Sequence, residues 1–534
     1  VGFAFDSDIR IAAVIYYLLN EYMNKYGDTY LEREELIQYT LRFLNHQNEV
    51  SVDMDKVMTQ LHHLLETGKL IQTDNLISLK YLFEAEKHVA KNLMGLNHGQ
   101  TSVIDVTEHL QQFEDINEIT YTKAQRKAIQ LALSNHVSII TGGPGTGKTT
   151  VIKGLINVYQ MMRNQSLKET DIRLAAPTGK AAKRLSESTD LSATTIHKML
   201  GYDFQGIYKF DKHHPIDAKM IIVDEASMID CLLMRRLLDA VKTGSILVLV
   251  GDANQLPSVG PGDVLNDLIR SDLFPIQELN IIHRQAADSH IVSLAYDVLD
   301  KQISYDLNKN KDDRIFVHAK DASIVTQVLK IITRLKQKDY ALREDIQILV
   351  PMYKGINGID RMNDIIQETF NGHHKEPSLS FGDKRFYYQD KVMQLVNQPE
   401  KNVMNGDQGI VVGIEENKTL LVDFSGNLVQ YNRKELDQLT LAYCTSIHKS
   451  QGSEYKVVIL PLSLAYTIML RKKLLYTAIT RAKELLIMVG DFEAFKRGVL
   501  GRDRKRNTLL KQFLTDLANI SSDNQIKIED FLDD

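Results

Sequence analysis

One short glycine-rich segment constrains the fold of this chain more than any other feature. The segment Gly142-Gly-Pro-Gly-Thr-Gly-Lys-Thr149 follows an apolar run at 137–140 and precedes a helical apolar pattern at 151–158. It matches G-x-x-x-x-G-K-[ST], a strand-to-helix turn whose backbone N–H groups surround phosphate oxygens. Lys148 is expected to reach the β and γ phosphates of ATP, and Thr149 to ligate Mg²⁺. The predicted nucleotide contacts in and directly after this segment are Gly143, Pro144, Gly145, Thr146, Gly147, Lys148, Thr149 and Thr150.

Apolar runs alternate with helical patterns on both sides of a region of short strands. Three runs follow the glycine-rich loop, at 172–176, 220–223 and 245–250, and a second set lies at 346–350, 457–460 and 485–489. Strands that alternate with helices predict parallel sheets, so we expect two α/β domains. Within the second of them, residues 387–439 contain Asn405-Gly406 and Ser425-Gly426 turns, which predict a small inserted β-barrel.

The first part of the chain has a different pattern. Residues 9–96 are mostly helical in periodicity, and residues 68–79 alternate about a turn at Asp74-Asn75. A hairpin after a helix predicts a small winged-helix-like unit. Such a unit either binds nucleic acid or packs without touching a ligand, and the sequence leaves both readings open.

Composition excludes several classes of protein. The 534 residues are 43% apolar with a net charge of −5, so disorder is disfavoured and any surface for a polyanion must be a local basic stripe. Cys231 and Cys444 lie far apart without metal-type spacing, and no early apolar segment resembles a signal peptide or membrane span. We expect a cytoplasmic monomer with no membrane partner.

Polar residues follow two further predicted strands of the first α/β domain. The run at 221–223 ends in Asp224 and Glu225, and the run at 245–250 leads to Gln255. Carboxyl ends of parallel strands share one edge of a sheet, so these side chains are expected beside the phosphate loop. We predict that Asp224 holds Mg²⁺, that Glu225 orients the attacking water, and that Gln255 senses the γ phosphate.

The order of these segments resembles the superfamily 1 DNA helicases, and most closely their RecD-like branch, over residues 120–491. The matching motifs are Tyr121-Thr-Lys-Ala-Gln125, Ala175 to Leu185, Thr194 to Met199, Gly251 to Gly262, Ile281 to Gln285, Thr445 to Glu454 and Leu474 to Lys483. The resemblance implies ATP-dependent translocation in the 5′→3′ direction on single-stranded DNA, with unwinding of duplex forks.

The resemblance also implies roles for single residues. Gln125 would bind adenine, Glu454 would lie near the nucleotide, and Arg284 and Arg481 would reach the γ phosphate from the second domain. Either arginine could instead be a surface ion-pair former. The residues that would face DNA are Thr178, Lys180, His197, Thr445 and His448. Without the motifs, a packing role would be the favoured explanation for the two histidines.

A domain layout follows from the same resemblance. We expect a helical N-terminal domain at 1–115, a RecA-like domain at 116–272, a second RecA-like domain at 273–386 and 440–534, and an SH3-like insertion at 387–439. Residues 201–217 are predicted to form a β-hairpin that separates strands. Longer family members carry N-terminal nucleic-acid-binding segments, and we expect this chain to lack them.

Three alternatives to a DNA-repair helicase remain. The chain could translocate on one strand without unwinding, or serve as a helicase-like subunit of a larger complex with other repair proteins. RNA is a less favoured substrate, although phosphate contacts discriminate poorly between sugars. A nuclease is disfavoured, because no further carboxylate cluster with metal-site character is evident.

Overall fold

A computed structural model describes most of the chain. The described residues are 4, 6–46, 51–97, 104–163, 170–203, 205–281, 288–304, 306–372, 378–415, 418–466 and 469–523. Arg284, one of the two predicted arginine fingers, lies outside them.

The N-terminal domain has the order of a winged helix. Its elements are α1 (Asp8–Tyr26), β1 (Leu31–Glu32), α2 (Arg33–Asn45), α3 (Met54–Glu66), β2 (Leu70–Thr73), β3 (Leu76–Leu79) and α4 (Lys80–Asn97). The three strands pair antiparallel in the order β1-β3-β2. Asp74 turns β2 into β3 with a φ of 53°, at the turn predicted from the sequence.

The first α/β domain is built on a six-stranded parallel sheet in the order β6-β5-β7-β8-β4-β9. Its strands are β4 (Val137–Gly142), β5 (Ile172–Ala176), β6 (Ala193–Thr195), β7 (Met220–Val223), β8 (Ile246–Gly251) and β9 (Ile276–Leu279). Its helices are α5 (Thr107–Asn117), α6 (Lys123–Ser134), α7 (Lys148–Met162), α8 (Gly179–Thr189), α9 (Ile196–Met199), α10 (Cys231–Ala240) and α11 (Val264–Ser271). Because β9 pairs with β4, the predicted boundary after residue 272 is too early.

The second α/β domain carries a five-stranded parallel sheet in the order β10-β21-β20-β11-β19. Its strands are β10 (Arg314–His318), β11 (Ile346–Val350), β19 (Cys444–Ser446), β20 (Tyr455–Leu462) and β21 (Ala482–Gly490). The helices that follow the first domain are α12 (His290–Leu299), α13 (Ile324–Lys336), α14 (Ile359–Asn371), α15 (Lys472–Ile479), α16 (Phe492–Leu500) and α17 (Leu510–Asp523).

The insertion between these strands is all β. A hairpin of β12 (Ser378–Phe381) and β13 (Lys384–Tyr387) precedes an antiparallel sheet in the order β17-β16-β15-β14-β18. The strands of that sheet are β14 (Lys391–Gln394), β15 (Gln408–Glu415), β16 (Thr419–Phe424), β17 (Asn427–Asn432) and β18 (Leu439–Leu441). Its apolar core is continuous with that of the second α/β domain. The two parallel sheets and the inserted antiparallel one confirm the predicted α/β architecture.

Residues 201–217 do not form the predicted β-hairpin in the part of this segment that the structure describes. The Asp203 carboxylate accepts hydrogen bonds from the N–H groups of Gln205 and Ile207, both at 2.9 Å. The Asp211 carboxylate likewise accepts from His213 and His214, at 2.8 and 2.9 Å. Side-chain oxygens thus occupy amides that a ladder of backbone hydrogen bonds would need, and they favour turns.

The end of the chain leaves the second domain, contrary to the predicted layout. Residues 504–509, here called the C-terminal strap, cross to the N-terminal domain, where Arg504 pairs with buried Asp28 at 2.6 Å. The Thr29 N–H donates to the Asn507 carbonyl at 2.8 Å. Beyond the strap, Leu510 and Leu514 of α17 share one apolar core with the N-terminal domain and the first sheet. Residues after the strap therefore pack with the first half of the chain.

A buried carboxyl group lies where the strap meets α4. Glu86 is fully buried and accepts from the Leu509 N–H at 3.2 and 3.3 Å, and burial raises its pKa to about 8. The folded chain therefore holds this proton more tightly than the unfolded chain does. Glu86 favours folding below its ordinary pKa of 4.5, and that contribution is lost as the pH rises through about 8.

We expect Glu86→Gln to melt at a higher temperature than the parent at pH 8 to 9, with the difference shrinking or reversing at pH 5. The amide stays neutral and keeps an oxygen for the Leu509 N–H, while each pKa unit is worth about 1.4 kcal/mol. Thermal melting across this pH range is the measurement. Glu84→Gln, on the same helix but half exposed, is the control. A pH-independent difference between Glu86→Gln and the parent would contradict the assignment.

Candidate active site

The glycine-rich loop joins β4 to α7, and the side chain of its lysine is hydrogen-bonded to carbonyls of the same loop. Lys148 Nζ donates to the carbonyls of Gly142 at 2.7 Å and Gly143 at 3.0 Å. Gly145 and Gly147 have φ of 71° and 80°, a region that favours glycine. The ammonium therefore lies on the loop that would surround phosphate groups, where stronger anionic acceptors could replace the two carbonyls.

Two tyrosines of the second domain meet this loop. A Cβ on Gly143 would lie 2.6 Å from the Tyr296 hydroxyl and 3.0 Å from that of Tyr476, so any larger residue there would displace a tyrosine ring. The Tyr476 hydroxyl also donates to Asp252 Oδ2 at 2.7 Å. Neither tyrosine was singled out from the sequence, although Tyr476 lies inside a quoted motif.

The two carboxylates after β7 occupy different environments. Burial, followed by repulsion from Glu225, raises the pKa of Asp224 to about 6, while Lys148 and Arg184 oppose the shift. Glu225 is buried and has a φ of 54°, an uncommon conformation for a non-glycine residue and one that clusters at functional sites. A divalent cation beside Asp224 would relieve this repulsion, so the donor set fits Mg²⁺.

Within the described ranges, no group of three or more His, Cys, Asp or Glu side chains could hold a metal ion by itself. A magnesium ion at Thr149 and Asp224 would need further oxygen ligands. Nucleotide phosphates and water are the usual ones, since Mg²⁺ is commonly held by one or two protein groups together with substrate phosphates.

Gln255 lies in a loop that makes hydrogen bonds with both α/β domains. Its Nε2 donates to Asp252 Oδ2 at 3.3 Å, while its Oε1 is buried without a hydrogen-bond partner. The N–H of the next residue, Leu256, donates to the Thr477 hydroxyl at 3.0 Å, and its carbonyl accepts from Gln451 Nε2 at 2.8 Å. The residue that follows the predicted sensor is therefore bound to the second domain.

Gln125 and Arg481 have their polar atoms engaged with protein groups. Gln125 caps α6 by accepting from the Thr122 N–H at 3.0 Å, and its Nε2 donates to the Thr146 carbonyl at 3.2 Å. Buried Arg481 donates to the carbonyls of Thr477 and Ser453, at 3.1 and 3.0 Å. In this arrangement Gln125 braces the phosphate loop and Arg481 braces the second domain. Their roles toward adenine and γ phosphate stay predictions.

An ion pair joins the two α/β domains. Glu454 contacts Arg184 of α8 at 2.6 Å and Lys483 at 3.2 Å. Burial would raise the pKa of Glu454, but these cations, Arg184 first, hold it below its ordinary value. Glu454 thus joins the domains, and Arg184 is a further site residue that the sequence had placed only within a motif.

Next to this ion pair is a cleft of about 520 Å³ in which cations outnumber anions. Its charged lining residues are Lys180, Lys183, Arg184, Arg343, Lys391, Lys483, Glu187, Glu344, Asp423 and Glu454. Burial, and then Lys180, lower the pKa of Lys391 to about 7. The cleft is therefore only modestly basic, because Arg184 and Lys483 are paired with Glu454.

The predicted DNA-facing residues are not all gathered at this cleft. Lys180 lies over the Tyr455 ring at 5.5 Å, and a Cβ on Gly452 would lie 2.8 Å from the Thr178 hydroxyl. Thr445 ends in a buried hydroxyl without a hydrogen-bond partner. His448 is mostly buried, and burial and then Arg506 lower its pKa.

His197 is separate from that group. Its ring contacts Tyr202 and Tyr208, with centroid distances of 5.5 and 6.4 Å, and burial lowers its pKa. These contacts agree with a packing role, and a DNA role for His197 stays a prediction.

Three family models match separate parts of the chain. They are an AAA domain over residues 125–261, an ATP-dependent RecD-like DNA helicase SH3 domain over 362–424, and a UvrD-like helicase C-terminal domain over 441–489. The matches fall within both α/β domains and the inserted antiparallel sheet. Among the described residues, no helix is long and apolar enough to cross a membrane.

Curated relatives match most of the chain. The ATP-dependent RecD2 DNA helicase of Deinococcus radiodurans is 33% identical over 389 residues, 73% of this chain and 52% of that protein. This chain thus spans about half the length of that relative. A solved structure, Bacteroides Pif1 bound to ssDNA, aligns at 19% identity over 76% of this chain and 98% of that one, with a TM-score of 0.44.

A second relative covers more of its own length. The RecBCD enzyme subunit RecD of Mycobacterium tuberculosis is 31% identical over 423 residues, 73% of this chain and 72% of that subunit. The chain therefore belongs to the RecD-like family of superfamily 1 ATP-dependent DNA helicases.

Proposed function

We propose that this chain is a 5′→3′ DNA helicase of repair or recombination, which moves on single-stranded DNA and separates duplex at forks. The contact between the phosphate loop and two tyrosines of the second domain is the observation that supports it most directly. A nucleotide bound at the loop would meet both domains, so hydrolysis could change how they pack. We further propose a cytoplasmic monomer that acts with other repair proteins.

In this proposal, different residues of the chain bind the phosphates, activate the attacking water and hold the metal ion. Lys148 binds the β and γ phosphates, and Glu225 orients the attacking water and accepts its proton. Thr149 and Asp224 would hold Mg²⁺, which supplies charge neutralisation on the phosphate oxygens. Arg481 and Arg284 are proposed to approach the γ phosphate from the second domain, which requires Arg481 to exchange its present carbonyl partners.

Movement would follow from the attachments of the Gln255 loop. Tyr476, Thr477 and Gln451 bind this loop from the second domain, so loss of the γ phosphate beside Gln255 would alter the domain contact. Thr178 and Lys180 on the first domain and Thr445 and His448 on the second are proposed to grip DNA phosphates alternately. Such contacts hold a strand without reading its sequence.

The direction of movement can be tested on tailed duplexes. We expect ATP-dependent unwinding of a duplex with a 5′ single-stranded tail and none of a blunt or 3′-tailed duplex. The strand released over time is measured with a trap for the free strand, and omission of ATP is the control. Unwinding of only the 3′-tailed duplex would refute the proposed polarity.

A second candidate is a translocase or helicase subunit that needs partners to unwind. The absence of a β-hairpin among the described residues of 201–217 favours it, as does similarity to a protein named as a RecBCD subunit. Displacement of streptavidin from a biotinylated 3′ end reports translocation alone. A chain that displaces streptavidin but leaves forked duplexes intact would support this candidate over the first.

A further inference from the structure

The C-terminal strap places one arginine inside the loop that follows Gln255. Arg506 Nη1 donates to Ser258 Oγ at 3.0 Å and to the carbonyls of Gly260 at 2.9 Å and Gly262 at 2.6 Å. Its Nη2 donates to the Ser258 carbonyl at 2.5 Å. One guanidinium thus holds the backbone of residues 258–262, a fork geometry that a lysine cannot reproduce.

The N-terminal domain completes the enclosure of this guanidinium. Gly27 ends α1 with a φ of 72°, and a Cβ there would lie 2.2 Å from Arg506 Cζ. The Gly262 N–H donates to the Gly27 carbonyl at 2.9 Å. Burial lowers the pKa of Arg506, but arginine remains charged at neutral pH. The far end of the loop is therefore fixed to the strap and the N-terminal domain together.

The near end of the same loop lies at the carboxyl edge of the first sheet, beside the phosphate loop. Two residues separate Gln255 from Ser258, and the first of them, Leu256, is bound by Thr477 and Gln451 of the second domain. Arg506 also lies close enough to His448 to contribute to its lowered pKa. A shift of the second domain would therefore displace the near end of this short loop, while the far end stays fixed to the strap and the N-terminal domain.

We propose that Arg506 is a positioning residue for ATP hydrolysis, which acts through the 258–262 loop to hold Gln255 in place. With the far end fixed, movement of the second domain displaces Gln255 instead of being absorbed by the loop. This inference rests on the proposed function, because Gln255 matters only if ATP is hydrolysed. It gives the strap and the N-terminal domain a part in the coupling of hydrolysis to DNA.

The test compares Arg506→Ala and Arg506→Lys with two neighbouring variants of the full chain. Lys505→Ala removes one exposed charge beside Arg506. Arg504→Ala removes the Asp28 ion pair and the stacking on Tyr26, at 4.5 Å, without touching the 258–262 loop. Arg504→Ala therefore reports what loosening the strap alone does. ATP hydrolysis with and without single-stranded DNA is measured, together with thermal melting.

We expect both Arg506 variants to lower the kcat of DNA-stimulated hydrolysis by roughly tenfold, with the KM for ATP changed by less than about twofold. Partial unfolding would also lower the apparent kcat without changing KM, so each variant is assayed below its own melting range, where it is fully folded. Lys505→Ala should match the parent. Arg504→Ala should melt at a lower temperature, but at temperatures below its melting range its kcat should equal that of the parent.

Two results would overturn the inference. The first is an unchanged kcat in both Arg506 variants under conditions in which DNA stimulates ATP hydrolysis by the parent. The second is an equal loss of kcat in Arg504→Ala, because the effect would then come from the strap as a whole. A parent without DNA-stimulated hydrolysis would instead overturn the proposed function, and the inference with it.

Discussion

Lys148→Ala is expected to lose ATP hydrolysis by at least ~10²–10³-fold, the scale seen when one group that stabilises transition-state charge is removed. The ammonium now lies on the carbonyls of Gly142 and Gly143 at 2.7 and 3.0 Å, directly over the loop that would hold the phosphates. Its removal takes away a positive charge where negative charge gathers during phosphoryl transfer. Phosphate release with saturating single-stranded DNA is the measurement.

The matched control is Lys153→Ala, on the same helix. Lys153 pairs with Asp190 at 2.9 Å on the surface, where the Asp190 side chain is largely exposed and that of Lys153 partly so. Such a pair contributes at most about 1 kcal/mol, so this variant should hydrolyse ATP as the parent does. Near-parental turnover by Lys148→Ala would remove the basis for the entire active-site assignment.

Glu225→Gln is expected to bind ATP as tightly as the parent and to hydrolyse it ~10²–10⁴-fold more slowly, the usual contribution of a general base. The amide preserves the shape of the side chain in its left-handed turn, with a φ of 54°, but cannot accept the proton of the attacking water. The variant should therefore accumulate with ATP bound. Equilibrium binding of a fluorescent ATP analogue and single-turnover hydrolysis separate the two effects.

Glu368→Gln, on the exposed face of α14, tests for a general effect of losing one negative charge and should match the parent in both assays. If Glu225→Gln weakened nucleotide binding and left the rate of the bound state unchanged, Glu225 would be a binding residue. The base would then have to be sought elsewhere at the carboxyl edge of the first sheet.

Local patterns were sufficient to predict much of this fold. The glycine-rich loop, the Asp74 turn and the strand that ends just before Asp224 each depend on neighbours in sequence, and each lies where the pattern places it. The hairpin at 201–217 was wrong for an equally local reason. The carboxylates of Asp203 and Asp211 take the amides of residues 205, 207, 213 and 214, and those bonds favour turns.

Long-range contacts were beyond the reach of those patterns. Arg506 and Tyr296 carry no motif of their own, and their partners at Ser258 and Gly143 are distant in the chain. The assignment of α17 to the second domain failed for the same reason. An amphipathic helix shows that it has an apolar face but not which surface will cover it.

The shared core of α17 and the N-terminal domain also sets an order for folding during synthesis. Thr29 and Asn507 bond to each other across 478 residues, and Leu510 and Leu514 fill the same core as Ile11 and Leu19. Contacts between such distant segments form late, because the intervening chain must first be made and closed. While the ribosome is still translating, the winged-helix unit emerges with part of its apolar surface uncovered. Its last layer arrives only after the chain has been synthesised as far as α17, and until then that surface is open to chaperones or to unintended association.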